Sequence, residues 1–381
     1  MGAGSGKLMD GSFGMDGRGH LMARMKDVAE RSGVSESTVS HVINGTRSVA
    51  PETREKVLLA MRDLDYHGNA DARRLARGRG DFLGLIISDI ENPFYPGLIK
   101  AFESAAIERG FEVLLCTTNY DPSRSEKAIR MMIENKSPGV AVMSSRVDPA
   151  LATVLAGQGV ASVMLDSGSI GRLRSDIQLN YANGADEAVQ YLWNLGHREF
   201  AFIAGPQDRP SHVAYRKAVE SALRELGIQP GVIEGENSVE SGELAAVRLL
   251  TRRVLPTAIL CSNDMTAIGA IRGLSRSGIR IPADVSVVGA DDIAFAALTS
   301  PPLTTVRISP RRLGALACEV LARMLGEGQA EGCRYVLDTE LVIRESARSI
   351  AKPTGDEAPV EIALGSSANQ VRQSPQSNRL R

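Results

Sequence analysis

MKDVAERSGVSESTVSHVIN, residues 25–44 of a 381-residue chain, fits two short helices joined by a tight turn. Ser35 suits an N-cap for the second helix, and Gly33 suits the turn because it has no Cβ to oppose a left-handed backbone. Ala29 is small where the two helices would cross, and Val39 is apolar where the second helix would face the first. The pattern therefore predicts a helix-turn-helix, whose second helix reads base edges in DNA.

A third helix is predicted after this pair. Pro51 suits the first turn of a helix, because the N–H that proline lacks would have no helical partner there. Residues 52–64 carry Val57, Leu58 and Met61 on one side. Three small helices are therefore expected to share one apolar core.

The charge of the chain is unevenly distributed. The formal net charge is -1, but residues 22–80 hold 11 Lys and Arg against 8 Asp and Glu. Arg73, Arg74, Arg77 and Arg79 form a local cluster, and such clusters attract phosphates. A solvated helix face would be the simpler explanation if the cluster stood alone.

From residue 82 to 347, short apolar segments alternate with amphipathic ones. The apolar segments contain β-branched residues and few charges, as expected of strands buried on both faces. This alternation predicts an α/β fold with doubly wound parallel sheets, and the length fits two sheets. The predicted strands are 82–88, 111–117, 139–143, 160–165, 200–204, 258–261 and 285–289, and the predicted helices include 97–109, 124–135, 186–195, 213–226 and 265–277.

The segments that follow the predicted strands are the candidates for ligand binding. Ligands of such sheets bind beyond the carboxyl ends of the strands. These segments are polar, with aromatic rings at Phe94 and Tyr95, and this mixture suits a hydroxyl-rich small molecule. No G-x-G-x-x-G follows the first strand, and the four cysteines lack metal or redox spacing. We therefore expect no cofactor and no metal.

Two other classes of protein are disfavoured. No G-x-S-x-G, H-E-x-x-H or Cys/His pair lies in a suitable context, so an enzyme is not expected. A free-standing solute-binding protein would begin with a signal peptide and lack a helix-turn-helix, whereas residues 1–20 have no apolar core. No apolar run reaches the roughly 18 residues that a membrane helix needs. We expect a cytoplasmic transcription regulator.

The series of motifs from residue 25 to about 346 resembles the lactose repressor/galactose repressor (LacI/GalR) family of bacterial transcription regulators. So many motifs in a fixed order are far more specific than any one of them. They are DVAERSGVS at 27–35, TVSHVIN at 38–44, TREKV at 53–57, NADARRL at 69–75, GHR at 196–198, IAGP at 203–206, SNDMTA at 262–267, VVGADD at 287–292 and PPLTT at 301–305.

The resemblance implies a homodimeric repressor that binds a palindromic double-stranded operator through paired helix-turn-helix heads. Glu36, Ser37 and His41 match the positions that determine sequence specificity, and their side chains suit base edges. For Glu36 a second interpretation stays open, since an acid in the first turn also complements the helix dipole. The predicted DNA contacts of the head are Ser35, Glu36, Ser37, Thr38, Ser40, His41, Asn44 and Arg54.

Residues 69–77 match the family's hinge helix, which pairs with its dyad mate in the minor groove. By this resemblance Asn69, Ala72, Arg73 and Leu75 contact DNA, and the leucine is the apolar wedge between base steps. Two departures weaken the match. Gly68 stands where many members have proline, and Asp71 stands where a small apolar residue usually packs across the dyad.

The family also implies a periplasmic-binding-protein-like core with a small-molecule effector, commonly a sugar or derivative, between two subdomains. The family's cleft arginine falls at Tyr215 without a gap or at Arg216 with a one-residue shift. A second role stays open for three of the acids, because each could cap the helix or turn that follows its strand. These acids are Asp166, Asp264 and Asp291. The predicted effector contacts are Phe94, Tyr95, Asp166, Arg209, Ser211, Arg216, Asn237, Asn263, Asp264 and Asp291.

These interpretations give a division of the whole chain. Residues 1–21 are expected to be a disordered extension, which an over-extended gene start would explain. Residues 348–381 are expected to be a disordered tail, since both segments lack hydrophobic periodicity. Between them we predict the head at 22–67, the hinge helix and linker at 68–81, and the core at 82–347, with subdomain one formed by 82–181 with 311–339 and subdomain two by 182–310 with 340–347.

Overall fold

A computed structural model describes residues 23–44, 47–66, 80–144, 147–252, 254–326, 330–350 and 372–373, without the side chains of Asn44 and of 372–373. The chain divides after Arg79 into two compact units. The predicted hinge contacts Asn69, Ala72, Arg73 and Leu75 lie outside the described residues, as do the extension 1–21 and most of the tail after Ile350.

The N-terminal unit is a three-helix head made of α1 (Met25–Ser32), α2 (Glu36–Asn44) and α3 (Pro51–Asp63). Gly33 ends α1 in the left-handed region at φ 68°, and the Ser35 hydroxyl accepts the Thr38 N–H at 3.2 Å as an N-cap. The core of the head consists of Val28, Ala29, Val39, Val42, Val57, Ala60 and Tyr66.

One detail of the predicted head is wrong. Leu58 was expected to face the core, but it is 42% exposed. The inward side of α3 runs through Val57, Ala60, Met61 and Leu64. These follow the i, i+3, i+4, i+7 spacing of one helix face, and Leu58 lies outside that stripe.

The C-terminal unit contains two sheets. The first has the order β13-β11-β5-β4-β3-β1-β2 and the second β12-β10-β9-β8-β6-β7; neighbours are parallel except at the outer pairs β13–β11 and β12–β10. The strands are β1 (Phe82–Ile87), β2 (Glu112–Thr117), β3 (Gly139–Met143), β4 (Ala161–Leu165), β5 (Arg174–Asn180), β6 (Phe200–Ala204), β7 (Gly231–Glu234), β8 (Ala258–Cys261), β9 (Ser286–Asp291), β10 (Thr304–Arg307), β11 (Arg334–Asp338), β12 (Glu340–Val342) and β13 (Arg372–Gln373).

Helices cover both sheets, and one apolar cluster runs through both subdomains. The helices are α4 (Phe94–Ile107), α5 (Pro122–Glu134), α6 (Ala150–Gly157), α7 (Tyr181–Asn194), α8 (Pro210–Glu225), α9 (Val239–Leu250), α10 (Asp264–Arg276) and α11 (Pro310–Leu325), with a 3-10 helix at Ala294–Leu298. The predicted α/β fold with two doubly wound parallel sheets is therefore confirmed.

The chain crosses between the sheets in four places: after β5, after β10, between β11 and β12, and between β12 and β13. Two of the crossings are bonded to each other. The Asn180 amide donates to Asp338 at 2.8 Å, and the Thr339 hydroxyl donates to the Asn180 carbonyl at 2.8 Å. These bonds tie together two of the segments that connect the subdomains.

The prediction of a disordered tail from residue 348 is wrong for its first residues. The Ile350 N–H donates to the Leu195 carbonyl at 3.0 Å, and the Arg348 carbonyl lies 3.1 Å from Nε2 of the buried His197. Residues 372–373 also form β13 against β11. Long-range hydrogen bonds thus order segments that have no periodic pattern of their own.

Candidate DNA-recognition helix and effector cavity

The N-terminal end of α2 presents polar side chains outward. Ser35, Glu36 and Ser37 are exposed, and His41 is half-buried. The Ser35 hydroxyl lies 2.8 Å from the Ser37 hydroxyl and 2.9 Å from that of Thr38. Because Val39 and Val42 anchor the opposite side of the helix in the core, this polar side is held in one orientation.

The other predicted head contacts lie on the same unit. Thr38 and Ser40 are half-buried on α2, and Arg54 is exposed on α3. The side chain of Asn44 lies outside the described part of the chain. Glu36 is exposed in the first turn of α2, so both of its interpretations stay open.

A cavity lies where the carboxyl ends of the two sheets face each other. Residues of both subdomains enclose it, and its wall combines aromatic rings, amides and hydroxyls with one carboxylate. The lining residues are Asn92, Phe94, Tyr95, Tyr120, Leu165, Leu179, Tyr181, Ser211, His212, Tyr215, Asn237, Ser262, Asn263, Ala290, Asp291, Val306 and Ile308. Six predicted effector contacts are among them: Phe94, Tyr95, Ser211, Asn237, Asn263 and Asp291.

Arg216 does not reach this cavity. Its Nε donates to Glu220 at 2.7 Å and its Nη1 to Glu234 at 2.7 Å. Successive helical residues point about 100° apart, so Tyr215 faces the cavity instead. The sequence left the choice between these two residues open, and the helix orientation decides it.

Asp166 and Asp264 lie behind the wall and serve backbone and hydroxyl groups. Asp166 accepts hydrogen bonds from the Leu179 N–H at 2.8 Å and the Tyr181 hydroxyl at 2.9 Å. Asp264 accepts the Ile293 N–H at 2.8 Å and the Thr305 hydroxyl at 2.5 Å. Burial raises the pKa of Asp166 to about 6 and that of Asp264 to about 7. Their expected place among the effector contacts is therefore wrong.

Arg209 also lies outside the enclosed cavity. Its guanidinium carbon stands 3.5 Å from the centroid of the Tyr120 ring, which is a cation–π contact. Tyr120 follows β2 of the first sheet, while Arg209 precedes α8 over the second. Both residues also line a wider cleft next to the cavity.

Asn237 belongs to a bonded group on the side of the second sheet. It accepts from the Ser262 hydroxyl at 2.6 Å, and its amide nitrogen lies 2.8 Å from Nε2 of His212. Burial lowers the pKa of His212 to about 4, aided by the charge of Arg209. A Cβ at Gly205 would overlap the Asn237 amide, so a larger residue there would displace this side chain.

Asp291 differs from its neighbour Asp292. Asp292 is bonded to Arg307 at 2.7 Å and to Arg344 at 2.5 Å. No described residue donates a hydrogen bond to the Asp291 carboxyl, which lines the cavity. Burial and the charge of Asp264 raise its pKa well above the ordinary value. Its φ of 107° is strained for a residue with a side chain, and such strain is frequent at functional sites.

Several lining residues were missed by the sequence analysis. Tyr120 and Ser262 follow strands, so the rule that selects strand ends could have found both. Tyr181 directly follows β5, a strand that the sequence pattern did not reveal. Tyr215 lies inside α8, and the sequence offered it only as an alternative to Arg216. Among the described residues, no group of three or more His, Cys, Asp or Glu is placed to hold a metal ion.

Asp264→Asn is expected to flatten the pH dependence of stability between about pH 4 and pH 7. The pKa of Asp264 is raised from 3.8 to about 7, so the folded state binds this proton more tightly than the unfolded state. The stabilisation that comes from this raised pKa is present below pH 4 and is lost as the pH rises through 7. The free energy of unfolding falls by at most ~4 kcal/mol over this range. Urea unfolding at pH 5 and pH 7 measures this. An equal fall in the variant would contradict the assignment; the opposing contribution of His212 is common to both proteins.

None of the described helices is long and apolar enough to cross a bilayer.

Comparison with known proteins identifies the family. The model of bacterial regulatory proteins of the lacI family matches residues 24–69, and a periplasmic binding protein-like domain matches residues 189–347. The HTH-type transcriptional repressor PurR of Histophilus somni is 34% identical over 333 residues, covering 86% of this chain and 100% of PurR. PurR of Haemophilus influenzae is 35% identical over 339 residues, with 86% and 100% covered.

Solved structures give the same result. The lac repressor dimer bound to operator and the anti-inducer ONPF has a TM-score of 0.76 at 29% identity, covering 86% of this chain and 99% of that one. The CelR–cellobiose complex has a TM-score of 0.64 at 31% identity, with 85% and 100% covered. The chain belongs to the LacI family. It is a DNA-binding transcriptional repressor regulated by a small-molecule effector, and the resemblance seen in the sequence is confirmed.

Proposed function

We propose that two copies of the chain bind a palindromic operator, each placing α2 in a major groove. The observation that carries this proposal is the rigid polar side of α2, fixed by Val28, Val39 and Val57, which are completely buried. The dimeric, operator-bound lac repressor supports it. The proposed contacts are Ser35, Glu36, Ser37, Thr38, Ser40, His41, Asn44 and Arg54, with Asn69, Ala72, Arg73 and Leu75 added on the resemblance of the hinge alone.

We infer that the effector binds in the cavity between the sheets. Rigid walls from both subdomains allow a bound molecule to bias the angle between them, and this would change the spacing of the two heads. Hydroxyl and amide groups of Ser211, Asn237 and Asn263 suit a sugar or derivative, as in the cellobiose complex of CelR. A repressor of this kind acts in the cytoplasm, where operator DNA is accessible.

His41→Ala is expected to weaken operator binding by about 5- to 150-fold, because one base-edge contact is worth ~1–3 kcal/mol. Anisotropy titrations against an operator selected from a random duplex pool measure the change. Glu30→Gln is the matched control, since Glu30 is exposed on α1 and pairs only at 3.9 Å with Lys26. Affinity unchanged in His41→Ala would contradict the assigned role.

A further inference from the structure

Among the described residues, the cavity wall holds one acidic side chain and no charged basic one. Asp291 is the only Asp, Glu, Lys or Arg of the described lining residues. His212 is neutral near pH 7, because burial lowers its pKa to about 4. Arg209 stacks on Tyr120 and is not among the residues that line the cavity. An anionic ligand would therefore find no enclosed cation to compensate its charge.

The Asp291 carboxyl has no hydrogen-bond donor in the part of the chain that the structure describes. Arg307 and Arg344 both bond Asp292 instead. Asp264, whose charge acts on Asp291, is saturated by the neutral donors Ile293 N–H and Thr305 hydroxyl. Burial and the charge of Asp264 raise the pKa of Asp291 well above its ordinary value, and a cation bound beside this carboxyl would favour its ionised form.

Aromatic rings surround the same space. Phe94 and Tyr95 stand edge to face with centroids 5.5 Å apart, and Tyr181 and Tyr215 are tilted with centroids 6.2 Å apart. The charge of Asp291 acts on Tyr95, Tyr120, Tyr181 and Tyr215 alike. Ring faces attract cations through their quadrupole, more strongly when water is excluded.

The Tyr215 hydroxyl is a second group without a partner. The residue is 4% exposed, and its oxygen is buried without a hydrogen bond. A buried polar atom of this kind requires a partner. The cavity thus presents an unpaired carboxyl and, in its wall, a phenol oxygen without a bond.

We propose that the effector carries a protonated amine, which pairs with the Asp291 carboxylate inside a wall of aromatic rings. This inference rests on the proposed function, because it takes the cavity as the effector site. The amides and hydroxyls around Asn237 and Asn263 then bind the uncharged polar part of the ligand, and an amino derivative of a sugar fits both requirements. A neutral hydroxyl ligand also supplies hydrogen bonds but brings no positive charge to favour the carboxylate form of Asp291.

Matched compounds that differ in charge test the proposal. Calorimetric titrations would use glucosamine, glucose and glucuronate, together with phenethylamine, 2-phenylethanol and phenylacetate. We expect the amine to bind at least about tenfold more tightly than the neutral member in at least one set, and the acid to bind weakest. Neutral or anionic members that bind as tightly as the amine, or amines that fail to bind in both sets, would overturn the proposal.

The Asp291→Asn variant locates the preference. Asn tolerates a positive φ and keeps the size of the side chain, so the fold should be retained; a thermal melt checks this. The tenfold preference for the amine should disappear in this variant and persist in Asp186→Asn, where the acid is exposed on α7. A preference that survives Asp291→Asn would place the amine elsewhere. Operator binding without ligand separates the two claims. If the chain binds operator but prefers neutral compounds, the proposed function stands and only the protonated amine is ruled out.

Discussion

Val39→Asp is expected to weaken operator binding at least about 100-fold while the thermal transition of the core stays in place. Val39 is completely buried among the helices of the head. An unpaired carboxylate there costs several kcal/mol, which is comparable to the whole stability of so small a unit. Circular dichroism and calorimetry of the full chain would show loss of the head transition, and anisotropy would measure the affinity.

Leu59→Asp is the matched control, because the same charge is added at a position that is 52% exposed on α3. Repulsion of the phosphates should lower its affinity by a small, salt-dependent factor only. If Val39→Asp bound operator within a few fold of the control, the three-helix core would not be what positions α2.

Gly242→Ala is expected to destabilise the second subdomain by about 3 kcal/mol or more. A Cβ at this position of α9 would collide with the backbone carbonyl of Thr266 in α10. Backbone atoms cannot rotate away as a side chain can, so the helix pair must separate and lose packing. The melting temperature should fall by roughly 6 °C or more.

Gly157→Ala provides the comparison, since a Cβ there meets no atom within 4 Å. Gly157 ends α6, and alanine is the better helix former by ~0.5–1 kcal/mol. The control should therefore melt at an equal or slightly higher temperature. Equal melting of both variants would contradict the close approach of α9 and α10.

The head could be predicted almost completely from its sequence because its determinants are local. Gly33 ends a helix and Ser35 caps the next within three residues. The inward valines follow helical spacing, so periodicity identifies them. Only Leu58 was misplaced, in a helix where neighbouring apolar residues offered two overlapping stripes.

The sheets were predicted in part. Strands buried on both faces, such as β1 and β9, carry apolar runs that reveal them. β5 reads RSDIQLN and was missed, because its polar residues interrupt the apolar pattern; one oxygen of the Asp176 carboxylate accepts the N–H and the hydroxyl of Ser167 from outside the strand. Partners of this kind are set by the fold and leave no periodic pattern.

Lining residues of the cavity could be predicted where they stand at strand ends. The prediction failed where an acid at a strand end had two possible roles. Asp264 and Asp291 both follow strands, but Thr305 and Ile293 converge on Asp264 from far along the chain. Asp291 has no such donor among the described residues. Only the three-dimensional arrangement separates a structural carboxyl from one that faces a ligand.

Occupancy of the cavity is expected to change the affinity of the heads for operator. The most direct measurement is an operator titration of the wild-type chain with and without a compound that raises the melting temperature of the core. We expect the bound compound to change the operator dissociation constant by about 5- to 150-fold, the usual range of coupling between two sites. An operator affinity that is identical with the cavity empty and saturated would contradict the claim.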